Sequence, residues 1–217
     1  WMVDRAFPGD TLIAIGKAIK ASEATHHGEI RFVVEGALDT ATLLRGQTAR
    51  ERAIDVFSKL RVWDTERNNG VLIYLLLADR DVEIVADRGI DAKVGPQEWE
   101  RICRNMEAAF RQADYEGGVV GGIQEVTRHL AEHFPPIGDA RNDLPAKPVV
   151  LVGGRRPGRG RGGLGRDGEV VGVVVVEGGA DVLPVVGERG PDLLLGTEQA
   201  GRVRGEVEEC AEALDRQ

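Results

Sequence analysis

An α/β layered sandwich, with a small mixed sheet flanked by helices, is the fold class this chain predicts. Three observations carry it. Val71 to Leu77 is a nearly continuous apolar run, as expected of a strand covered on both faces. Ile30, Phe32 and Val34 alternate with Arg31, Val33 and Glu35, the period of a second strand. Trp99, Ile102, Cys103, Met106, Ala109 and Phe110 recur at helical spacing, and so do Ile123, Val126 and Leu130.

The elements follow in chain order. Asp10 can cap a helix over about Thr11 to Ala24, with Leu12, Ile15 and Ile19 on one face. Gly28 stops that region, and the strand from Glu29 to Glu35 begins. Gly36 to Gly46 reads as a connection with little periodicity. Thr48 and Glu51 have capping-box spacing and open a helix to about Leu60, with Ala49, Ala53, Val56 and Phe57 inward. Asn69-Gly70 is a turn signal before the apolar strand. Asp79-Arg80-Asp81 suits a hairpin, and Val82 to Ala86 returns antiparallel. Pro96 fits a first helical turn and leads the helix through Gln112. The last helix runs from about Val119 to His133, and Pro135-Pro136 ends it. The order is helix, strand, helix, strand, strand, helix, helix.

Domain organisation follows from composition. Residues 1–136 form the α/β domain, 137–151 a proline-containing closing segment, and 152–217 a low-complexity Gly/Val/Arg-rich tail. Sixteen of the 29 glycines fall in that tail, which also lacks Lys, Ser, Asn, Ile and every aromatic residue. That bias suits either a disordered tail or an out-of-frame or read-through extension of GC-rich sequence. Within it, Val170 to Val176 is apolar and β-prone. A net charge of −8 disfavours non-specific nucleic-acid binding and suits cations or a basic partner. Arg155 to Gly163 resembles an RGG-type RNA-binding stretch but lacks interleaved aromatics, so no nucleic-acid partner is expected. Cys103 and Cys210 form no CxxC pair, which excludes a disulfide framework. No run approaches the roughly 18 apolar residues of a membrane span, and no signal peptide is visible. A cytoplasmic location is therefore expected, although the start at Trp1 points to a missing upstream segment.

Three stretches together resemble the TPM domain family: ASEATHHGEIRFVVE, NGVLIYLLLADRDVEIVADRGIDAKVG, and the two closing helices through HFPP. LPAKPVVL at Leu144 to Leu151 resembles the end of short bacterial members, so the resemblance spans roughly residues 5–151. It implies a compact α/β sandwich. Some members of the family are phosphatases, and others bind calcium or magnesium; many are exported or membrane-tethered. This chain looks like a short soluble member.

Topology suggests where a site lies. A right-handed crossover makes the strands at Ile30 and Val71 parallel. Glu29 and Asn69 begin them, and the antiparallel third strand brings Asp87, with Asp91 four residues later, to the same pole. Glu29, Asn69, Asp87 and Asp91 form an oxygen-rich set suited to calcium or magnesium, and Gly89 lets the backbone turn there. The plainer reading makes Asp87-Arg88-Gly89 a strand-end turn and pairs Glu29 with an arginine. The opposite pole, the carboxyl end of the parallel strands, offers an alternative metal set of Glu35, Asp39, Asp79 and Asp81. A phosphatase needs a metal-activated water and positive charge for the phosphate, for which Arg31 and Arg88 are candidates. No DxDxT, CxxxxxR or phosphate-cradling glycine motif is present, so no catalytic residue is named. His26-His27 reads as a solvated helix end or a ligand pair, Cys103 as a core thiol, and Trp63 as core or a partner contact.

The expected function is a divalent-cation-binding domain acting as a binding or assembly module with a protein partner. The alternative is a metal-dependent phosphatase acting on phosphomonoesters.

Overall fold

The computed structural model describes residues 2–136, 148–153, 171–177 and 181–186. Their elements run α1 (Met2–Ala6), α2 (Gly9–Glu23), β1 (Glu29–Glu35), α3 (Thr40–Leu44), α4 (Ala49–Lys59), β2 (Gly70–Leu76), β3 (Asp81–Ala86), α5 (Arg88–Val94), α6 (Pro96–Arg111), α7 (Tyr115–His133), β4 (Val149–Gly153), β5 (Val171–Glu177) and β6 (Asp181–Val186). The strand order in the sheet is β3-β2-β1-β4-β5-β6. β1 pairs parallel with β2 from Glu29↔Gly70 to Glu35↔Leu76, and parallel with β4 at Val33↔Val149 through Glu35↔Leu151. β3 pairs antiparallel with β2, while β5 and β6 continue the other side antiparallel.

Side chains of a strand alternate between faces, so a sheet covered on both sides needs two cores. One face of β1 and β2, with Ile30, Phe32, Val34, Val71, Ile73 and Leu75, packs under the helices α2, α6 and α7 through Ile15, Ile19, Met106, Phe110, Ile123 and Leu130. The other face, with Val33, Leu72, Tyr74 and Leu76, packs under α4 through Ala53, Val56 and Phe57. Every residue of β1 and β2 is buried, which is why β2 reads as a continuous apolar run rather than an alternating one. The result is the expected layered α/β sandwich.

Close packing dictates one glycine here. A Cβ on Gly70 would lie 1.9 Å from the Val62 carbonyl oxygen, so the loop after α4 can cross the start of β2 only over glycine. The capping box forms as the spacing predicts: Thr48 accepts from the Glu51 amide, and Glu51 accepts from the Thr48 amide at 2.9 Å.

Several expected boundaries shift. α2 starts at Gly9 with Pro8 at its cap, and Asp10 sits inside the first turn, where its Oδ1 accepts from Thr11 N at 3.0 Å. α7 starts at Tyr115, because Asp114 accepts from Gly117 N at 2.9 Å and caps the glycine-rich turn. The short helices α1, α3 and α5 are additional. α3 lies within the stretch read as an aperiodic connection, where Asp39 accepts from Thr42 N at 3.1 Å. The closing segment supplies β4, a strand not expected from its prolines. β4 crosses into the low-complexity segment by Val152 and Gly153, and Val171–Glu177 and Asp181–Val186 also lie within it; its remaining residues, Cys210 and the Arg155 to Gly163 stretch included, lie outside the described residues.

A buried ion pair ties α4 to the sheet. Arg52 Nε and Nη2 reach the two oxygens of Glu35 at 2.9 and 3.0 Å, and Tyr74 Oη donates to Oε2 at 2.7 Å. All three residues are buried. Burial, then the Glu35 charge, push the Tyr74 phenol well above its usual range, so it remains a donor. A paired buried charge is tolerated, whereas its lone partner is costly. Arg52→Met alone is expected to cost about 3–5 kcal/mol by stranding Glu35. The triple change Arg52→Met, Glu35→Leu, Tyr74→Phe should lie closer to wild type; urea unfolding of both variants measures the difference.

Candidate metal centre

The parallel register puts the start of β1 beside the start of β2, and the antiparallel register puts the end of β3 beside both. Glu29 N donates to the Asn69 carbonyl at 3.3 Å, and Asp87 N donates to the Gly70 carbonyl at 2.8 Å. Glu29, Asn69 and Asp87 therefore stand side by side at one end of the sheet, as the topology predicts. Asp91 follows one helical turn later, its amide donating to the Asp87 carbonyl at 2.9 Å.

The loop before β2 is clamped onto this pole. Asn68 takes a left-handed φ of 53°, and its carbonyl accepts from Gly89 N at 2.9 Å and Ile90 N at 3.2 Å. A Cβ on Gly89 would lie 2.5 Å from that carbonyl oxygen. The glycine expected to permit a tight turn instead permits a close backbone crossing, inside the first turn of α5.

Each side chain has its own partners. Asp87 caps α5, its Oδ1 accepting from Arg88 N at 2.7 Å, while its Oδ2 is buried with no hydrogen-bond partner. Asn69 is buried, and its Nδ2 donates to the His27 carbonyl at 3.1 Å. Asp91 Oδ1 accepts from Trp99 Nε1 at 3.0 Å, which turns it toward α6. Glu29 is buried on the α4 face of β1 together with Arg31 two residues on. Burial lowers the Arg31 guanidinium, and the Glu29 charge opposes that shift, as expected of neighbours. Arg88 is exposed and its Nε donates to Asn68 Oδ1 at 3.0 Å. The backbone thus gathers all four predicted residues, while Asp91 is drawn aside and Glu29 answers Arg31. The buried Asp87 Oδ2 fits a hard cation, since an unpaired carboxylate oxygen out of water is costly.

The opposite pole is engaged differently. Glu35 lies in the Arg52–Tyr74 network, and Asp39 accepts from Thr42 Oγ1 at 2.5 Å at the head of α3. Asp79 and Asp81 flank Arg80 in the β2–β3 hairpin, where Arg80 has φ 54°. Burial, then the Asp79 charge, raise the Asp81 carboxyl. The hairpin pair and the two engaged carboxylates share an end of the sheet. A shallow groove runs from Asp81 along β3 to Asp91, walled by Arg50, Glu83, Glu100 and Arg104. Its charges are mixed: Arg50 pairs with Glu83 at 3.3 Å and Arg104 with Glu100 at 3.4 Å.

One other reading changes and a second narrows. His26 is buried rather than solvated, and neither ring nitrogen has a hydrogen-bond partner. Trp63 is 47% exposed under the Arg61 guanidinium, 5.7 Å from its ring centre, and belongs to neither core. Cys103 packs at the edge of the core, where burial pushes its thiol up to about 12. One cluster was not anticipated: ligand atoms of His129, Glu132 and His133 lie within 4.8 Å of one another at the end of α7. The H-x-x-E-H spacing was the available signal, since residues three and four apart share a helix face.

Fold and site together define an α/β domain with an acidic pole where three strand ends meet. A family model described as the TPM domain matches residues 4–129, and the chain belongs to that family. Among solved structures, the NMR structure of the BA42 protein from the psychrophilic bacterium Bizionia argentinensis is 30% identical, with a TM-score of 0.58. That match covers 66% of this chain and 94% of BA42. The N-terminal domain of a P. gingivalis protein is 20% identical at a TM-score of 0.46, covering 56% of this chain and 76% of that one. No curated protein matches the chain. Among the described residues no helix is long and apolar enough to cross a membrane.

His26 sets a pH dependence. Burial, then the neighbouring His27, lower its pKa from 6.5 to about 4, and the Gly28 backbone, near the ring but outside hydrogen-bond geometry, offsets only part. Between those values the unfolded chain binds a proton that the folded chain refuses, so stability falls as pH drops from 6.5 toward about 4. The expected loss is on the order of 2–3 kcal/mol. Urea unfolding across that range should show it, and His26→Phe should flatten it.

Proposed function

We propose that this TPM domain binds a divalent cation, calcium or magnesium, at the pole of Glu29, Asn69 and Asp87, with Asp91 at its rim, and acts as a binding or assembly module. The observation that carries this reading is Asp87 Oδ2, a buried carboxylate oxygen with no protein partner beside a gathered set of oxygen donors. Calcium and magnesium take such oxygens and complete their shells with water. The chain's net charge of −8 favours cations over anions. Glu29 joins the set by sharing its charge between the cation and Arg31. For the assembly role, Leu43 and Leu44 on α3 are 59% and 84% exposed and offer apolar contact to a protein partner.

A second reading has one specific support, the word phosphatase in the name of the matching family model. In that reading the cation activates a water against a phosphomonoester, and exposed Arg88 beside Asp87 meets the phosphate oxygens. Arg31, buried against the α4 face, is the less available of the two arginines.

Amide NMR during calcium and magnesium titration separates the sites. Shifts should gather at Glu29, Asn69 and residues 87–91, and a Glu29→Gln, Asp87→Asn variant should lose them. Shifts centred on Asp79 and Asp81 would move the site to the other pole. Absence of any shift at millimolar cation would sink cation binding. Hydrolysis of a generic phosphomonoester that needs magnesium or calcium, and disappears in the same double variant, would favour the enzyme.

A further inference from the structure

The last turn of α7 carries donors of a different kind from the acidic pole. His129 and His133 stand four residues apart on one helix face, and Glu132 stands between them in sequence. One ligand atom from each lies within 4.8 Å of the others. His129 is buried, His133 half-buried and Glu132 exposed, so the cluster opens to solvent from a fixed inner wall.

Glu98 fixes the inner imidazole. Its Oε1 lies 2.8 Å from His129 Nε2. Two acceptors do not approach that closely without a proton between them, so Nε2 carries the hydrogen, and in the neutral imidazole it is Nδ1 that keeps a lone pair for a metal. Glu98 is held in turn by Arg101 through both oxygens at 2.8 Å and by Arg128 Nη2 at 3.0 Å. Arg128 Nη2 also lies 3.1 Å from His129 Nε2, with its charge met by Glu98 and Glu125. Trp99 packs edge-on against the His129 ring at 6.0 Å between centres. A carboxylate that orients an imidazole through its other nitrogen is the usual outer support of a metal-binding histidine.

We propose that His129, Glu132 and His133 bind a zinc ion, with water completing its shell. Two imidazoles and one carboxylate match the borderline-soft character of zinc, which takes nitrogen and oxygen ligands. Bonds of about 2.0–2.1 Å in a tetrahedral shell set the ligand atoms about 3.4 Å apart, so rotation of the two outer side chains closes the cluster. The position adds to the attraction. His133 ends α7, and the unpaired carbonyls of a helix C-terminus favour positive charge. The site is separate from the oxygen pole in chemistry and in residues, and it does not depend on the cation reading above.

Zinc alone, titrated into the full chain by calorimetry, tests the site. One equivalent should bind, and His133→Ala and Glu132→Gln should each weaken it by roughly tenfold or more. Both changes sit at the solvent side of the helix end, so the fold should survive; circular dichroism checks it. Imidazole resonances of His129 and His133 should shift on zinc addition, while Glu29→Gln, Asp87→Asn should leave the affinity unchanged. Zinc affinity untouched by His133→Ala, ring shifts confined to His26 and His27, or no binding at millimolar zinc would each overturn the proposal.

Discussion

The parallel register of β1 on β2 is the constraint on which the rest of this domain depends. With Glu29 opposite Gly70, every β1 side chain is assigned to one of the two cores, and a slip by one residue would exchange them. The same register decides which polar residues meet. It sets Glu29 beside Asn69 at one end of the sheet and Glu35 beside the β2–β3 hairpin at the other. Gly70 holds the position from outside, because only glycine lets the Val62 carbonyl cross there. The acidic pole is thus a by-product of strand pairing, completed by the clamp between Asn68 and the start of α5.

The two ends of the sheet spend their carboxylates differently. Glu35 meets a guanidinium and a phenol in full hydrogen-bond geometry, so its charge is answered within the fold. That arrangement fixes α4 on the sheet, and nothing about it calls for an ion. Asp87 has one oxygen capping a helix and one buried without a partner. Both carboxylates are drawn into the structure, yet only Asp87 is left with an unanswered oxygen. Polar satisfaction, rather than the number of acidic residues, separates a structural carboxylate from one that invites a ligand.

Much of this was legible in the sequence because it depends on local period and chain direction. The two parallel strands, the hairpin and the helices facing the first core follow from apolar spacing. Strand direction alone brings Glu29, Asn69 and Asp87 together. What stayed hidden depends on partners far along the chain. Arg52 lies on the inward face of α4, and nothing local says that it answers Glu35 rather than solvent. Asp91 offers one carboxylate oxygen to Trp99 on α6, a contact that its place after β3 does not announce. His26 sits in a polar stretch, and its burial comes from surrounding tertiary packing. The β4 strand follows a proline-rich stretch, and only the open edge of β1 explains why it pairs. The H-x-x-E-H run was readable from spacing, but the carboxylate that orients its first histidine is 31 residues away.

The oxygen pole and the imidazole cluster are joined by a short path. Asn69 Nδ2 donates to the His27 carbonyl, and His27 N donates to the Phe134 carbonyl at 2.9 Å. Phe134 directly follows His133, and its amide donates back to the Leu130 carbonyl at 2.7 Å. The segment from His26 to Gly28 therefore touches both, with a buried, unpartnered His26 at its start and Gly28 against Leu130. Proximity of this kind is not coupling, which requires an element with two states that both ligands bias. It does identify residues at which such an element can be tested for. Any coupling carried there would be reciprocal, each ion changing the affinity for the other by the same factor.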